Sequence, residues 1–370
     1  MKGKLCCIFN YAPHYRFPIF KKMGEELNVD FYFGNKVNGG NIEKLDYTKL
    51  KGFKKELKSH FLYRFEYTHG WYSLAFNREY KQFLITPNYF AFNQWLFLII
   101  CALLGKKVYC WTHGQKSKKV RTIHKVMGKF FYPFFAGTFL YGNRARNNMI
   151  ERGENPNKLH VIYNSLDYNK SCSIRKNISI ENPYHSHFCN NYPIIIFIGR
   201  LTSIKKLDEI ILVQRKLNET GMDVNVAFIG DGPEMINLKS MLTADEEKRV
   251  WFVGALYEEK DIASYLYHAD LCLSPGNVGL TAIHCLSYGL PLITNDDFDS
   301  QMPEFEAIEQ GKTGDFFEYG NINDMTITTR RWLTAKTNRE QVRKDCYRII
   351  DSNYNPNYQM QVLKKVLEYR

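Results

Sequence analysis

Residues 270–296 read DLCLSPGNVGLTAIHCLSYGLPLITND, and they divide into a strand, a turn, a helix and a second strand. Leu271, Cys272 and Leu273 are an apolar run that predicts a short buried strand. Ser274 to Leu280 collects Pro275, Gly276, Asn277 and Gly279 and predicts a loop. Thr281 to Tyr288 predicts a helix stopped at Gly289, after which Pro291-Leu292-Ile293-Thr294 predicts a buried strand. This order is part of a parallel βαβ unit. A turn of this kind aims free N–H groups outward at the positive end of a helix, where phosphate is favoured. Every α/β protein has such turns, so this stretch by itself does not separate phosphate binding from an ordinary connection.

The pattern extends in both directions. Buried runs at Pro193–Gly199, Val224–Ile229 and Val250–Val253 precede the central stretch, with helical segments between them. Strand and helix alternate in this way to about Trp332, which predicts a doubly wound parallel sheet. Toward the N-terminus, runs at Lys4–Phe9, Asp30–Phe33, Gln82–Ile85, Val108–Trp111, Thr138–Tyr141 and Val161–Tyr163 predict a second sheet of the same kind. Between the two, Tyr168 to Tyr192 is polar with no sustained period and reads as the interdomain connection. The expected domains are therefore 1–175 and 190–350. A final helix over about 355–370, begun by Asn355-Pro356, is expected to pack back on the first domain. The fold class is α/β, with two doubly wound, Rossmann-like domains facing across a cleft. Ligands bind at the carboxyl ends of parallel strands, so the loops after each strand are the places to look for chemistry.

Composition agrees with an ordered two-domain chain: 370 residues, 45% hydrophobic and 15% aromatic. The net charge of +12 fits a phosphorylated ligand or an anionic membrane face. No zinc-finger spacing or other nucleic-acid motif accompanies it, so nucleic acid is excluded as a partner. Nine cysteines, an odd number without a C-x-x-C pair, read as core residues of a cytoplasmic protein. No signal peptide is expected. Trp95 to Leu104, the most apolar segment, is about half a membrane span and reads as a buried helix. The charge run Lys49–Lys58 reads as a solvated face. Together with Phe61, Tyr63, Phe65 and Tyr67, and with the basic aromatic segment 121–135 (Arg121, His124, Lys125, Lys129), it alternatively offers contact with anionic lipid at the inner face of the cell membrane.

The strand-end loops carry the candidate site. Gly199-Arg200-Leu201 ends one strand, with Lys205 and Lys206 following. An Arg five positions before a Lys can hold a diphosphate, the Arg by its planar fork and the Lys as a point charge. Gly230-Asp231-Gly232-Pro233-Glu234 is a tight turn into a helix. In the first half, Trp111, His113 and Gly114 end a strand, and Tyr11, His14, Tyr15 and Arg16 occupy the first loop. A histidine at a strand end is as readily a hydrogen-bonded core residue as a functional one. Asp297-Phe298-Asp299 with Asp296 looks like the D-x-D metal motif of a different fold. Following a strand in the second of two domains, it reads instead as a polar loop, and no metal site is assigned.

Six motifs in order then resemble glycosyltransferase family 4, the retaining group 1 enzymes of the glycosyltransferase-B fold. They are Gly199-Arg200-Leu201 with Lys205, Gly230 to Glu234, Phe252-Val253-Gly254, Ala269-Asp270 with Leu273-Ser274-Pro275, Gly279-Leu280 with Tyr288 to Pro291, and Glu304 with Thr313-Gly314. Asn164-Ser165-Leu166-Asp167 and the loops at Tyr15-Arg16 and Trp111–Gly114 extend the resemblance over nearly the whole chain. It implies a metal-independent hexosyltransferase without a cofactor, which moves a sugar from a UDP- or GDP-sugar to a glycan or lipid-linked glycan in surface polysaccharide synthesis. Arg200 and Lys205 would neutralise the leaving diphosphate, and the amides around Gly279, Leu280 and Thr281 would hold its distal phosphate. Gly254 would pack by the base, His113 would sit beside the transferred sugar, and Tyr11, His14 and Arg16 would meet the acceptor.

The chain departs from the family at one point. The family has two glutamates eight positions apart in the central loop and helix; aligned on Gly289, they fall at Gly276 and His284. Asn277 would then serve the sugar and His284 the ribose. The missing pair keeps two alternatives open, a catalytically silent nucleotide-sugar-binding scaffold and an epimerase on the same fold.

Overall fold

A computed structural model describes residues 3–36, 43–63, 65–115, 122–179, 181–335 and 338–368. The chain divides into two compact units, Met1–Asp167 with Pro356–Arg370, and Tyr168–Asn355.

The first unit is built on a seven-stranded parallel sheet. Its strands are β1 (Lys4–Phe9), β2 (Val29–Gly34), β3 (Phe53–Leu57), β6 (Tyr80–Ile85), β7 (Lys107–Thr112), β8 (Gly137–Leu140) and β9 (Leu159–Val161). They run in the order β3-β2-β1-β6-β7-β8-β9. A separate antiparallel hairpin of β4 (Ser59–Leu62) and β5 (Phe65–Thr68) stands between β3 and β6 in sequence. Side chains of a strand alternate between faces. Along β1, Leu5, Cys7 and Phe9 enter one core with Phe20, Phe31 and Phe33, whereas Cys6 and Ile8 enter the other with Phe83 and Phe97. The helix Pro356–Val366 closes the first of these cores through Met360 and Leu363. Lys364 of this helix donates to Glu26 of the helix Phe17–Glu26 at 2.6 Å.

The second unit has a six-stranded parallel sheet of β10 (Ile194–Ile198), β11 (Asn225–Ile229), β12 (Val250–Gly254), β13 (Leu271–Ser274), β14 (Leu292–Asn295) and β15 (Gly314–Phe317). Its order is β12-β11-β10-β13-β14-β15. The order reverses between β10 and β13, so the loops leaving these two strands diverge to opposite sides and open a crevice at their carboxyl ends. Ile194, Ile196 and Ile198 face one core, and Ile195 and Phe197 the other. Burial on both faces explains why β10 is apolar at every position.

Some segments differ from the sequence reading. Tyr168–Arg175 is a helix of the second unit, as is the short turn of helix His185–Phe188, so the first unit ends at Asp167, not at 175. The charge run conceals β3, an edge strand whose Lys54 and Lys55 are exposed while Leu57 is buried. Charged side chains on an edge strand block pairing with another chain. Lys54 also has a buried target: its ammonium lies 3.6 Å from Asp30, which accepts from Tyr80 at 2.8 Å. The segment expected over 121–135 forms a helix over Thr122–Phe131, and Arg121 lies outside the described residues. No helix among the described residues is long and apolar enough to cross a membrane.

Candidate functional site

The loops after β10 and β13 are joined at the switch point of the second sheet. Lys205 donates from Nζ to the backbone oxygen of Asn277 at 2.6 Å and to its Oδ1 at 2.9 Å. The Gly276 amide donates back to the Lys205 carbonyl at 2.9 Å. Burial pulls the Lys205 ammonium down from the usual lysine value, and the buried carboxylate of Glu304 opposes that pull. Glu304 thus helps keep a cation at this place in the loop.

Gly276 has no space for a side chain. A Cβ added there would lie 2.0 Å from the Ile204 carbonyl oxygen and 2.6 Å from the Lys205 Cα. The position at which the resemblance calls for a glutamate is therefore occupied by the backbone of the lysine loop. Asn277 is next to it, but its Oδ1 is used by Lys205 and is not offered to a sugar. Gln301 fixes the other side of the loop, accepting from the Val278 amide at 2.6 Å and donating to Thr294 at 3.1 Å.

The helix Leu280–Ser287 begins here with Gly279 as its N-cap, which has no side chain to satisfy the first turn. Four N–H groups at a helix start lack intrahelical partners. The amides near Gly279, Leu280 and Thr281 are thus placed for an anion. The Thr281 hydroxyl donates to the Ile198 carbonyl at 3.0 Å, which pins the helix start to the end of β10.

Around this helix start, the carboxyl ends of β10, β11 and β12 enclose a cleft of about 520 Å3. Its walls include Gly199, Arg200, Gly230, Asp231 and Gly232, together with Ala255, Leu256, Tyr257 and His284. Gly254 turns the chain with φ +88° but is not itself in the wall; the three residues after it are. Gly230 is required by close approach, because a Cβ there would meet the Gly199 carbonyl oxygen at 1.9 Å. A second cavity of about 390 Å3 opens at the opposite end of this sheet, by Ile194 and Asp270. Its charges are already engaged: Arg339 pairs with Asp270, and the Arg343 guanidinium lies 3.6 Å over the Tyr267 ring.

His284, on the cleft wall, has a partner that sequence reading missed. Its Nε2 lies 3.0 Å from Oε1 of Glu259, and the Tyr288 hydroxyl donates to the same oxygen at 2.6 Å. Glu259 opens the helix Glu259–His268, where the helix dipole favours a negative charge. Burial pushes its carboxyl up, but the bonds from His284 and Tyr288 outweigh burial and hold it below the usual glutamate value. A carboxylate with a depressed native pKa contributes stability that is present above the unfolded pKa and is lost as pH falls through the native one. Glu259→Gln is therefore expected to destabilise the protein by about 1–3 kcal/mol near neutral pH. The difference from the parent should close as pH falls below the ordinary glutamate range, and urea melts across that range measure it.

In the first unit, Arg16 and His113 come together at the ends of β1, β7 and β8. The Arg16 guanidinium lies 4.2 Å over the Trp111 ring and 4.7 Å over Phe20. His113 packs on Tyr141 with ring centroids 4.5 Å apart, and Tyr141 packs on Trp111 at 6.0 Å. With Phe9 at 5.5 Å and Tyr141 at 6.0 Å, four aromatic rings position the cation of Arg16. His14 diverges from this group; its side chain is half exposed and lies 3.8 Å from Glu43. Tyr11 is on the same loop, half-buried. In the D-x-D-like loop, Asp296 accepts from the Tyr319 amide beyond β15 at 2.9 Å, and Asp297 accepts from the Ser300 hydroxyl of its own loop at 2.6 Å.

Residues 182–348 match the family described as glycosyl transferases group 1. Among curated relatives, the chain is similar to sulfoquinovosyl transferase SQD2 of Arabidopsis thaliana, 29% identical over 157 residues, 41% of this chain and 29% of that one. The chain spans less than two thirds of the length of the curated relatives it matches. Among solved structures, the lipopolysaccharide outer core galactosyltransferase WaaB in its apo form aligns over 99% of this chain and 100% of its own, with TM-score 0.70 and 14% identity. Anabaena HepE in complex with UDP aligns over the same shares, with TM-score 0.70 and 13% identity. At these identities the likeness establishes the fold, which is glycosyltransferase-B.

Proposed function

We propose that this chain, whose residues 182–348 match the group 1 glycosyl transferases, transfers a sugar from a nucleoside-diphosphate donor to a glycan or lipid-linked glycan, with retention at the anomeric carbon and without a metal ion. The observation that carries the proposal is the junction of Lys205, Asn277 and the uncapped helix start at Gly279, beside a cleft walled by Arg200. The reaction breaks the bond between the anomeric carbon and the diphosphate oxygen and joins that carbon to an acceptor hydroxyl oxygen. The hydroxyl proton leaves with the nucleoside diphosphate. Negative charge grows on the diphosphate as its bond breaks, and fixed cations and helix amides aimed at it lower that barrier. Arg200 and Lys205 take this role, the amides of Gly279, Leu280 and Thr281 receive the distal phosphate, and the chain after Gly254 meets the base. His284, held by Glu259, receives the ribose. His113 lies beside the transferred sugar, and Tyr11, His14 and Arg16 receive the acceptor. The working place is the cytoplasmic face of the membrane, where such acceptors are assembled.

Calorimetric titration with UDP and GDP tests the site. One of the two is expected to bind, with the affinity lowered about tenfold or more by Arg200→Ala through loss of a charge-assisted contact. Binding of neither nucleotide, or binding that Arg200→Ala leaves unchanged, would remove the site from this cleft.

A further inference from the structure

Exposed apolar side chains are concentrated in one region of the first unit. Of twenty large hydrophobic side chains exposed among the described residues, fourteen lie between Leu62 and Phe134. The helix Phe92–Leu103 buries Phe97, Leu98 and Cys101 in the core and yet exposes apolar side chains on its other side. Asn93 and Gln94 are buried and donate to the backbone carbonyls of Thr68 at 2.7 Å and Thr86 at 3.2 Å. Phe92, Leu96, Ile99 and Leu103 point outward, with Phe92 73% and Leu103 82% exposed. Their spacing of four, three and four residues aligns them in one stripe along the helix. The helix has no charged residue.

The neighbouring helix Thr122–Phe131 repeats the feature with Ile123, Val126 and Phe130 exposed. Its only full charges are Lys125 and Lys129, both exposed. The two helices and the β4–β5 hairpin form one surface: Phe65 stacks on Phe92 at 5.9 Å, Phe90 meets His124 at 5.4 Å, and Trp95 meets Phe131 at 4.8 Å. An apolar stripe with aromatic side chains at its edge and lysines along its flank matches the boundary of an anionic bilayer. There the rings enter the acyl region and the lysine stems reach back to headgroup charge. A second copy of this chain fits poorly, because a two-fold contact through this face would oppose the Lys125 and Lys129 pairs.

We propose that the outward faces of Phe92–Leu103 and Thr122–Phe131, with the β4–β5 hairpin, form a docking surface for an anionic lipid bilayer. The surface belongs to the first unit and the donor cleft to the second, and the proposal does not depend on the transferase reading. Sedimentation of the full chain with phosphatidylcholine vesicles, with and without about one third phosphatidylglycerol, tests it. The protein is expected to bind the anionic vesicles more than tenfold more tightly than the neutral ones. Leu103→Glu with Phe130→Glu, and separately Lys125→Glu with Lys129→Glu, should each weaken anionic binding more than tenfold while thermal melts remain cooperative. If a variant fails to fold, hydrogen exchange of the parent with vesicles replaces it, with protection expected at 92–103 and 122–131. No binding to anionic vesicles, binding that both variants keep, protection confined to other segments, or a stable dimer that the apolar variant dissociates would each overturn the proposal.

Discussion

Lys205→Ala is expected to lower turnover by about 10²–10³ while weakening nucleoside diphosphate binding much less. That range is the usual cost of removing one fixed group that stabilises charge growing in a transition state. On the proposed reaction, the split between turnover and binding follows because the ammonium would gain more from the departing diphosphate than from the intact donor. The side chain does a second job, bonding both oxygens of Asn277 and so fixing the loop that leads to Gly279. Lys205→Arg is expected to recover only part of the loss. The guanidinium is larger and planar, and does not fit in place of the compact ammonium that bonds two oxygens of Asn277. Steady-state kinetics with the preferred donor, set beside nucleotide titration of the same variants, separate the two roles.

Gly276→Ala is expected to destabilise the protein by about 1–3 kcal/mol and to reduce transfer sharply. The added methyl would meet backbone atoms of Ile204 and Lys205, which cannot rotate away as a side chain would. The strands β10 and β13 are fixed in the sheet, so the lysine loop must move and take the ammonium with it. Gly276→Glu is expected to be worse, not better, although it supplies the carboxylate that the resemblance calls for. Denaturant melts and the turnover assay on the two variants measure both effects. A glutamate variant with raised turnover would show that the loop opens to admit the side chain.

The parts of the fold legible in the sequence were those in which burial dictates composition. β10 and β13 are apolar because both faces of a central parallel strand are covered. β3 was hidden because an edge strand exposes most of its length, so Lys54, Lys55 and Glu56 outweigh the few inward residues. Tyr168–Arg175 was hidden because a polar helix that buries only Ser171 leaves almost no period to read. At the candidate site, Arg200, Lys205 and the glycine turn could be singled out because each stands in a loop that follows a strand. Glu259 was not, since its link to His284 spans 25 residues and two helices and leaves no pattern in the chain. The absence of a carboxylate at Gly276 was legible, but its cause was not. Only the approach of the Lys205 loop shows that the position is filled by backbone. The segment Trp95–Leu104 reads as a buried helix by its apolarity, whereas the structure leaves Leu96, Ile99, Leu103 and Leu104 exposed.

The most direct test of the transferase account is the release of free nucleotide from a panel of UDP- and GDP-sugars, with and without a membrane-lipid extract, by the parent and by Lys205→Ala. The account predicts that one donor is consumed, faster with the extract, and that the variant is slower by about 10²–10³. Tight nucleotide binding with no donor consumed, or consumption that Lys205→Ala leaves intact, would contradict it.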